Sequence, residues 1–472
     1  MPILVEPSAL SPLPTVNGRT PRLLLVAYNF PPVGGAGVQR PVKWVKNLRR
    51  LGWDVTVLTT ENPSVPTYDE SLLKDVPDDV LIVRARTWEP GYRTKQGLAN
   101  HQNTSSSNLL SRAKSAVKGV IKQAVKLALQ PDPQVLWVPN AIQAGRRVLR
   151  DLSHDAILVT APAYSSFFIG SSLKRQFGLP LVLDYRDEWD LSGRYLENAQ
   201  RDGFSNFIQY RMQRHLLKQA DAVVATTKSS TTNLADKLAA LNKSKTRTET
   251  IYNGFDAEEF ESSSPAVDPG RNKSTFRLLY TGTLWNLTSI EPLVAAIERL
   301  NLRSPELVSK LELVCVGRKT PEQLSILDRV NRTGCRLQRI DYCEHAQVLD
   351  WLRSTDAVCL LLSDVPGAER VVPAKLFEYL AIRKDMLAIV PNGETSDLVR
   401  RFYPNGGLEP KNIDGIADWL RARLSGDLSV DPQSITTQNI DEFSRTAQTK
   451  RLVDLLNGLI QKAPATKNEV HS

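Results

Sequence analysis

The sequence predicts an α/β protein built from two Rossmann-like, doubly wound domains, and three observations support this prediction. Its 472 residues are enough for two or three domains of ordinary size. Short apolar runs alternate with segments of helical spacing along most of the chain. One stretch, residues 261–274, is rich in Ser, Pro, Gly and charge, which is typical of a linker between domains.

The first domain is predicted to span residues 21–260. It opens with an apolar run at 22–28, a loop rich in Pro and Gly, a helical segment at 38–51 and a β-branched run at 54–60. This order predicts a βαβ unit of a parallel sheet buried on both faces. The alternation continues with strands at 156–160, 181–185 and 222–226 and helices at 166–177 and 204–219.

The second domain is predicted to span residues 275–430. Its strands are expected at 277–281, 311–316, 336–339, 357–362 and 386–389, with helices between most of them. We expect a helical segment at 431–462 to pack back across both domains, and flexible tails at 1–20 and 463–472. Two such domains leave a cleft at the carboxyl ends of their strands, which is the expected active site.

The charge and the cysteine content of the sequence limit the classes of partner and the cellular compartment that we expect. The net charge of +9 suits an anionic partner such as a nucleotide sugar or anionic lipid, while the absence of any nucleic-acid-binding module argues against nucleic acid. The four cysteines form no C-x-x-C pair, so a reducing cytoplasm is expected and no metal site is predicted. No apolar run is long enough to span a bilayer.

One segment, residues 108–130, falls outside the α/β alternation. On a helix its apolar residues share one side, and a stripe of lysines lies beside them at Lys114, Lys118, Lys122 and Lys126. Two interpretations stay open: a basic amphipathic helix that lies on an anionic membrane, or an outer helix packed on its own domain.

Candidate site residues of the first domain follow two predicted strands. Gly34 and Gly35 lie between a strand and a helix, where bare backbone and helix amides can approach a phosphate. Asp184, Arg186 and Asp187 close the strand at 181–185. Asp184 and Arg186 are candidate acceptor-side residues, and Asp187 is the candidate catalytic carboxylate, able to orient or deprotonate an acceptor hydroxyl. The alternative for this group is a structural Asp–Arg pair.

Candidate residues of the second domain form the donor-binding set. Gly282 and Thr283 follow one strand, and Arg318 and Lys319 follow the next, where a guanidinium can bind phosphate with two hydrogen bonds. Residues 367–380 turn from a loop into a helix predicted to begin at Pro373. Its amides and Lys375 could bind phosphate, and Glu378 could accept hydrogen bonds from the ribose hydroxyls. Arg370, Val371 and Val372 complete the set. An amphipathic helix with an exposed glutamate is the alternative.

These motifs together resemble the family-four retaining glycosyltransferases of GT-B fold, and most closely the bacterial branch that acts in surface-polysaccharide or glycoconjugate synthesis. The resemblance runs from about residue 22 to residue 459. It rests on an ordered set of motifs: YNFPPVGGAGVQR, PDPQVLWVPNAI, VTAPAYSSFFIGSSLK, LVLDYRDEW, ETIYNGFD, LLYTGTL, EHAQVLDWLRSTDAVCLLL and VVPAKLFEYLA.

The resemblance implies a sugar donor that is a nucleoside diphosphate sugar, with UDP or GDP as the nucleotide, bound chiefly by the second domain. Its ribose would lie on Glu378 and its pyrophosphate near Gly35 and the Pro373 loop, and the first domain would meet a glycan or lipid-linked acceptor. The family retains the anomeric configuration and needs no protein nucleophile or further cofactor. A cytoplasmic protein, working at the inner face of the membrane, is expected.

Three departures from the family pattern are visible. The family's paired acids lie eight positions apart, but the residue eight before Glu378 is Arg370, with Glu369 one position away. Phe167 stands where many relatives have histidine. The Arg and Lys usual after the first strand of the second domain are absent from residues 281–289, and Arg318, Lys319, Arg370 and Lys375 are the candidate replacements.

We therefore predict a hexosyltransferase-type enzyme. Two alternatives stay open from the sequence: a degenerate GT-B protein that binds a partner without turnover, suggested by the missing polar positions, and a sugar-nucleotide epimerase. The epimerase would need a cluster of acids and histidine that the sequence does not display.

Overall fold

The computed structural model describes residues 18–91, 127–195, 203–261, 274–404, 406–426 and 439–461. Most of the basic segment 108–130 lies outside these ranges, as do most of the linker predicted at 261–274 and the tail predicted at 463–472. Of the tail predicted at 1–20, only residues 18–20 are described.

Strands and helices alternate along both halves. Up to residue 251 they are β1 Arg22–Ala27, α1 Ala36–Arg50, β2 Asp54–Thr60, β3 Leu81–Ala85, α2 Val138–Asp151, β4 Ala156–Ala161, α3 Ser166–Phe177, β5 Leu181–Tyr185, α4 Trp189–Tyr195, α5 Gly203–Gln219, β6 Ala222–Ala225, α6 Lys228–Ala239 and β7 Arg247–Thr250. From residue 252 they are α7 Ala257–Glu261, β8 Phe276–Thr281, α8 Glu291–Arg303, α9 Pro305–Val308, β9 Leu311–Val316, α10 Pro321–Asp328, β10 Arg336–Ile340, α11 His345–Ser354, β11 Ala357–Leu361, α12 Lys375–Ile382, β12 Asp385–Ile389, α13 Glu394–Phe402, β13 Gly407–Leu408, α14 Ile413–Ser425 and α15 Arg445–Ile460.

The described residues divide into two compact units. The first unit contains those up to Ala225, together with Asn233–Ile251 and those from Thr449 onward. The second unit contains Thr226–Thr232 and Tyr252–Gln448. The last helix, α15, thus has most of its length in the first unit, and α6 begins in the second.

The first unit has a seven-stranded parallel sheet in the order β3-β2-β1-β4-β5-β6-β7. The central strands are almost wholly buried and mostly apolar because helices cover both faces. Residues of α2, α3 and α5 pack in the core on one face, and residues of α1 and α15 pack on the other. The strand order changes direction between β1 and β4, where doubly wound folds bind ligands.

The second unit repeats this topology with six strands, in the order β10-β9-β8-β11-β12-β13, again all parallel. Helices α8 and α14 pack on one face, and α11, α12 and α13 on the other. The corresponding reversal lies between β8 and β11. The predicted fold class, two parallel Rossmann-like α/β domains, is confirmed.

Three strands were not predicted from the sequence. β3 and β7 each lie at an edge of the first sheet, β3 with partly exposed side chains and β7 with four half-buried ones in the polar run RTET. β13 has two residues. β7 and β13 lack the continuous apolar run of a strand covered on both faces, so the pattern used to find the others does not mark them, whereas β3 begins with the apolar residues Leu81, Ile82 and Val83 and was overlooked.

None of the helices in the described ranges combines the length and apolar character needed to cross a bilayer.

Candidate functional site

In the first unit, the loop that follows β1 leads into the N-terminus of α1. Gly35, the residue before the helix, has φ of 102°, and a Cβ added there would meet no atom within 4 Å. The Gly34 amide donates to the Thr67 carbonyl oxygen at 3.1 Å. Glycine at position 35 is therefore required by the backbone conformation, and the space beside it is open.

Asp184 at the end of β5 belongs to a buried ion pair. Its carboxylate accepts two hydrogen bonds from Arg40, Nη2 to Oδ1 at 2.9 Å and Nε to Oδ2 at 3.2 Å, and a third from the Thr160 hydroxyl at 2.7 Å. Asp184 is fully buried and Arg40 is 3% exposed. The structural Asp–Arg pair that the sequence left as an alternative does exist here, although with Arg40 as the partner.

Arg186 packs over the first turn of α1. Its guanidinium donates to the Gly37 and Pro162 carbonyl oxygens, the latter at 3.3 Å. A Cβ on Gly37 would lie 2.8 Å from Nη1, so glycine makes room for the guanidinium. The side chain of Asp187, the next residue, is exposed.

Phe167, at the position where many relatives have histidine, is a core residue. It is fully buried in α3, and its ring lies 4.8 Å from that of Tyr185 and 6.2 Å from that of Tyr164, measured between centroids. An aromatic core thus occupies the place of the family's polar side chain.

In the second unit, the turns after β8 and β9 are stacked on one another. Gly282 and Gly317 both have φ of 119°, and a Cβ on Gly317 would lie 2.4 Å from the Gly282 carbonyl oxygen. A Cβ on Gly282 would lie 2.6 Å from Nζ of Lys375. Three predicted donor-binding segments therefore meet at the carboxyl end of β8, with glycine required at both turns.

Lys375, the first residue of α12, reaches back to Tyr280 of β8. Its ammonium donates to the Tyr280 hydroxyl at 2.8 Å and lies 4.1 Å from the centre of that ring. Tyr280 in turn donates to the Thr283 carbonyl oxygen at 2.9 Å. Burial lowers the pKa of Lys375 to about 7, so its charge depends on what binds beside it.

The two basic residues after β9 differ in their surroundings. Lys319 donates to the carbonyl oxygens of Gly317 and Ile340, each at 2.6 Å, and burial lowers its pKa. The side chain of Arg318 is exposed and has no hydrogen-bond or ion-pair partner among the described residues. Arg318 is therefore available to an anion, whereas Lys319 fixes the turn.

The loop before α12 is held through its backbone. The Glu369 carboxylate accepts from the Gly367 amide and from Arg370 Nη1, both at 2.9 Å. The Thr227 hydroxyl donates to the Arg370 carbonyl oxygen at 3.0 Å. This loop carries Val371, Val372 and Pro373 to the start of α12, which begins two residues after Pro373 and has no side-chain cap.

Glu378 lies on α12, one turn after Lys375. Its side chain is half-buried and has no hydrogen-bond or ion-pair partner in the described parts of the chain. Burial raises the pKa of its carboxyl, although His345 and Arg445 nearby act to lower it. Partial burial of a carboxylate that has no partner costs folding free energy. We therefore expect a ligand to supply the hydrogen-bond donors for Glu378.

Comparison with known proteins gives the class. A family model described as a glycosyl transferase 4-like domain matches residues 34–254. Sucrose-phosphate synthase from Thermosynechococcus elongatus has a similar structure, with a TM-score of 0.59 and 16% identity over 93% of this chain and 99% of that chain. Anabaena HepE in complex with UDP-glucose also gives 0.59, at 14% identity over 93% and 99%. A glycosyltransferase from Rickettsia africae gives 0.57, at 13% identity over 94% and 99%. At these identities the structures establish the fold, and the family model establishes the class.

The protein is a glycosyltransferase with the GT-B fold. Among curated proteins its sequence has no match.

Two residues whose side chains form hydrogen bonds in the second unit of this glycosyltransferase, Tyr280 and Glu394, were not predicted as site residues. Tyr280 stands inside an apolar strand, where nothing in the sequence distinguishes it from a core residue. Glu394 accepts from the amides of Lys228 and Ser229, at 2.8 and 2.7 Å, and from the Tyr252 hydroxyl at 2.6 Å. A charged residue four positions after the apolar run at 386–390 was the available signal for Glu394.

Proposed function

We propose that this glycosyltransferase moves a hexose-type sugar from a nucleoside diphosphate sugar to a glycan or lipid-linked acceptor, with retention of anomeric configuration. The observation that carries the proposal is the partnerless, half-buried Glu378, one turn away from the buried ammonium of Lys375. A carboxylate suits ribose hydroxyls, and cationic groups suit a diphosphate.

The leaving group is a nucleoside diphosphate, and the second unit offers three kinds of positive group for it. Arg318 supplies an exposed guanidinium, Lys375 supplies an ammonium, and the uncapped N-terminus of α12 supplies backbone amides. These groups stabilise the charge that develops as the bond from the sugar C1 to the diphosphate oxygen breaks. They replace the Arg and Lys that relatives carry after the first strand of this domain.

In the proposed reaction an acceptor hydroxyl oxygen forms the new bond to C1 on the face from which the diphosphate departs. The hydroxyl proton passes to the departing phosphate oxygen, so no protein nucleophile is required. The first unit would hold the acceptor. There Asp187 is the exposed carboxylate able to orient that hydroxyl, and the open backbone at Gly35 can approach a phosphate.

UDP is the better supported nucleotide. HepE has been solved with UDP-glucose, and an Escherichia coli trehalose-6-phosphate protein of the same fold with UDP-2-fluoro glucose. Synthesis of polysaccharide or glycoconjugate at the inner face of the membrane is proposed from the resemblance to the bacterial branch of the family.

A thermal-shift panel tests the donor proposal. UDP, GDP, ADP and their common sugars are added to the wild type and to Glu378→Ala, with Glu306→Ala as a matched control because Glu306 is an exposed glutamate of the same unit. A bound nucleotide raises the melting temperature by mass action. We expect UDP and its sugars to stabilise the wild type and the control but not Glu378→Ala. Stabilisation of all three proteins would contradict the assignment of Glu378.

The pKa of Lys375 predicts that UDP affinity falls as pH rises above about 7. In the empty site the ammonium loses its proton above this pH, and a diphosphate binds the protonated form. The dissociation constant should therefore rise by up to about tenfold per pH unit. Isothermal titration calorimetry between pH 6 and 9 measures this slope.

Lys375→Met is the control, because it removes the lysine titration and leaves the titration of UDP itself. We expect this variant to bind UDP more weakly, with a flatter pH dependence. Equal slopes for the variant and the wild type would show that Lys375 does not meet the diphosphate.

A further inference from the structure

Three helices of the first unit form one continuous outer layer. Helices α2, α3 and α5 contribute to the same core on one face of the sheet, and α3 packs against both of the others. Their inner sides are apolar, with Val148, Leu173 and Leu216 among the buried residues. Their outer sides form one surface, which we call the α2–α3–α5 face.

The α2–α3–α5 face is strongly basic. The three helices contain eight basic residues and a single acidic residue, Asp151. Those basic residues are Arg146, Arg147, Arg150, Lys174, Arg175, Arg211, Arg214 and Lys218. All but Lys174 and Arg214 are exposed, so the charge faces solvent.

The same face carries large exposed aromatic side chains. Phe204, Phe207 and Tyr210 of α5 are 60%, 58% and 51% exposed. They follow one another at a spacing of three residues, which places them along one side of the helix. Arg214 donates to the Tyr210 hydroxyl at 2.8 Å, and its guanidinium lies 5.2 Å from that ring, so the aromatic and basic groups are interleaved.

We propose that the α2–α3–α5 face docks this protein on an anionic lipid bilayer. Aromatic rings enter the headgroup region, and arginine and lysine are attracted to anionic headgroups. Charge complementarity selects an anionic partner. The three exposed aromatic rings favour a bilayer, whose interface takes up aromatic side chains, over a polyanion that is held by charge alone.

Vesicle co-sedimentation with the full chain tests this proposal. Vesicles of phosphatidylcholine alone are compared with vesicles that also contain phosphatidylglycerol, without nucleotide sugar, so the result does not depend on the proposed reaction. The aromatic variant is Phe204→Ser/Phe207→Ser/Tyr210→Ser, and the charge variant is Arg146→Gln/Arg147→Gln/Arg150→Gln. Because the substituted residues are exposed, the melting temperatures of both variants should match that of the wild type.

Matched controls carry the same kinds of change elsewhere on the surface. Leu302→Ser/Leu324→Ser removes exposed apolar side chains, and Lys243→Gln/Lys245→Gln/Arg332→Gln removes exposed positive charges. We expect binding to the anionic vesicles only, weakened about tenfold or more by either test variant and unchanged by either control.

Two results would overturn the proposal. One is vesicle binding that the aromatic and charge variants leave unchanged. The other is retention on heparin that the charge variant weakens and the aromatic variant does not, together with absence of vesicle binding. This second result would assign the face to an anionic polymer.

Discussion

Replacing Asp184 by asparagine should lower the free energy of unfolding of the first unit by about 3–5 kcal/mol. The change leaves the guanidinium of Arg40, which is 3% exposed, without the carboxylate that accepts two of its hydrogen bonds. A loss of this size corresponds to a fall in melting temperature of about 10 °C in a unit of this length. Differential scanning calorimetry measures it.

Asp190→Asn is the matched control for Asp184→Asn. Asp190 lies six residues further along and pairs with Lys237, but its side chain is 46% exposed, so its ion pair should contribute at most about 1 kcal/mol. Equal melting temperatures for the two variants would contradict a structural role for Asp184. If Asp184→Asn instead loses transfer activity at a temperature where it is fully folded, with UDP affinity unchanged, the acceptor-side role predicted from sequence is supported.

Glu378→Gln should weaken UDP binding by about 100-fold, or about 3 kcal/mol. The carboxylate accepts hydrogen bonds from two ribose hydroxyls in the proposed complex, and a neutral amide offers one acceptor and a mismatched donor. Isothermal titration calorimetry with UDP measures the loss. Because the Glu378 side chain has no partner in the described residues, the variant should fold as well as the wild type.

Glu306→Gln is the control for this measurement. It makes the same glutamate-to-glutamine change at an exposed position of the same unit. We expect its affinity for UDP to stay within a factor of about two of the wild-type affinity, as for surface substitutions in general. If Glu378→Gln leaves the affinity for UDP unchanged, Glu378 does not bind the nucleotide, and the proposed donor site loses its central residue.

Most of the fold could be predicted because its strands are covered on both faces. β2, β5 and β9 have the predicted bounds, and α3 also matches the predicted range. Each is a short apolar or amphipathic run bounded mostly by Gly, Pro or polar residues, so the local sequence is enough to predict where it begins and ends. β7 and β13 were missed because a polar edge strand or a two-residue strand has no such pattern, and β3, which does begin with apolar residues, was overlooked.

The site could be predicted only in part. Gly282, Arg318 and Lys375 follow strands or open a helix, and parallel topology brings such positions to one edge of a sheet. Contacts between distant residues leave no local signal. Arg40 and Asp184 are 144 positions apart, and Tyr280 and Lys375 are 95 apart. The structure was needed to show that Asp184 has a buried partner and that Lys375 rests on Tyr280.

The most direct test of the account compares UDP with 2′-deoxy-UDP on the wild type and on Glu378→Gln by calorimetry. If Glu378 accepts hydrogen bonds from the ribose hydroxyls, the wild type should prefer UDP by about tenfold or more, and the variant should bind both nucleotides with nearly equal affinity. If Glu378→Gln keeps the full preference for UDP, the ribose lies elsewhere and the proposed donor site is wrong.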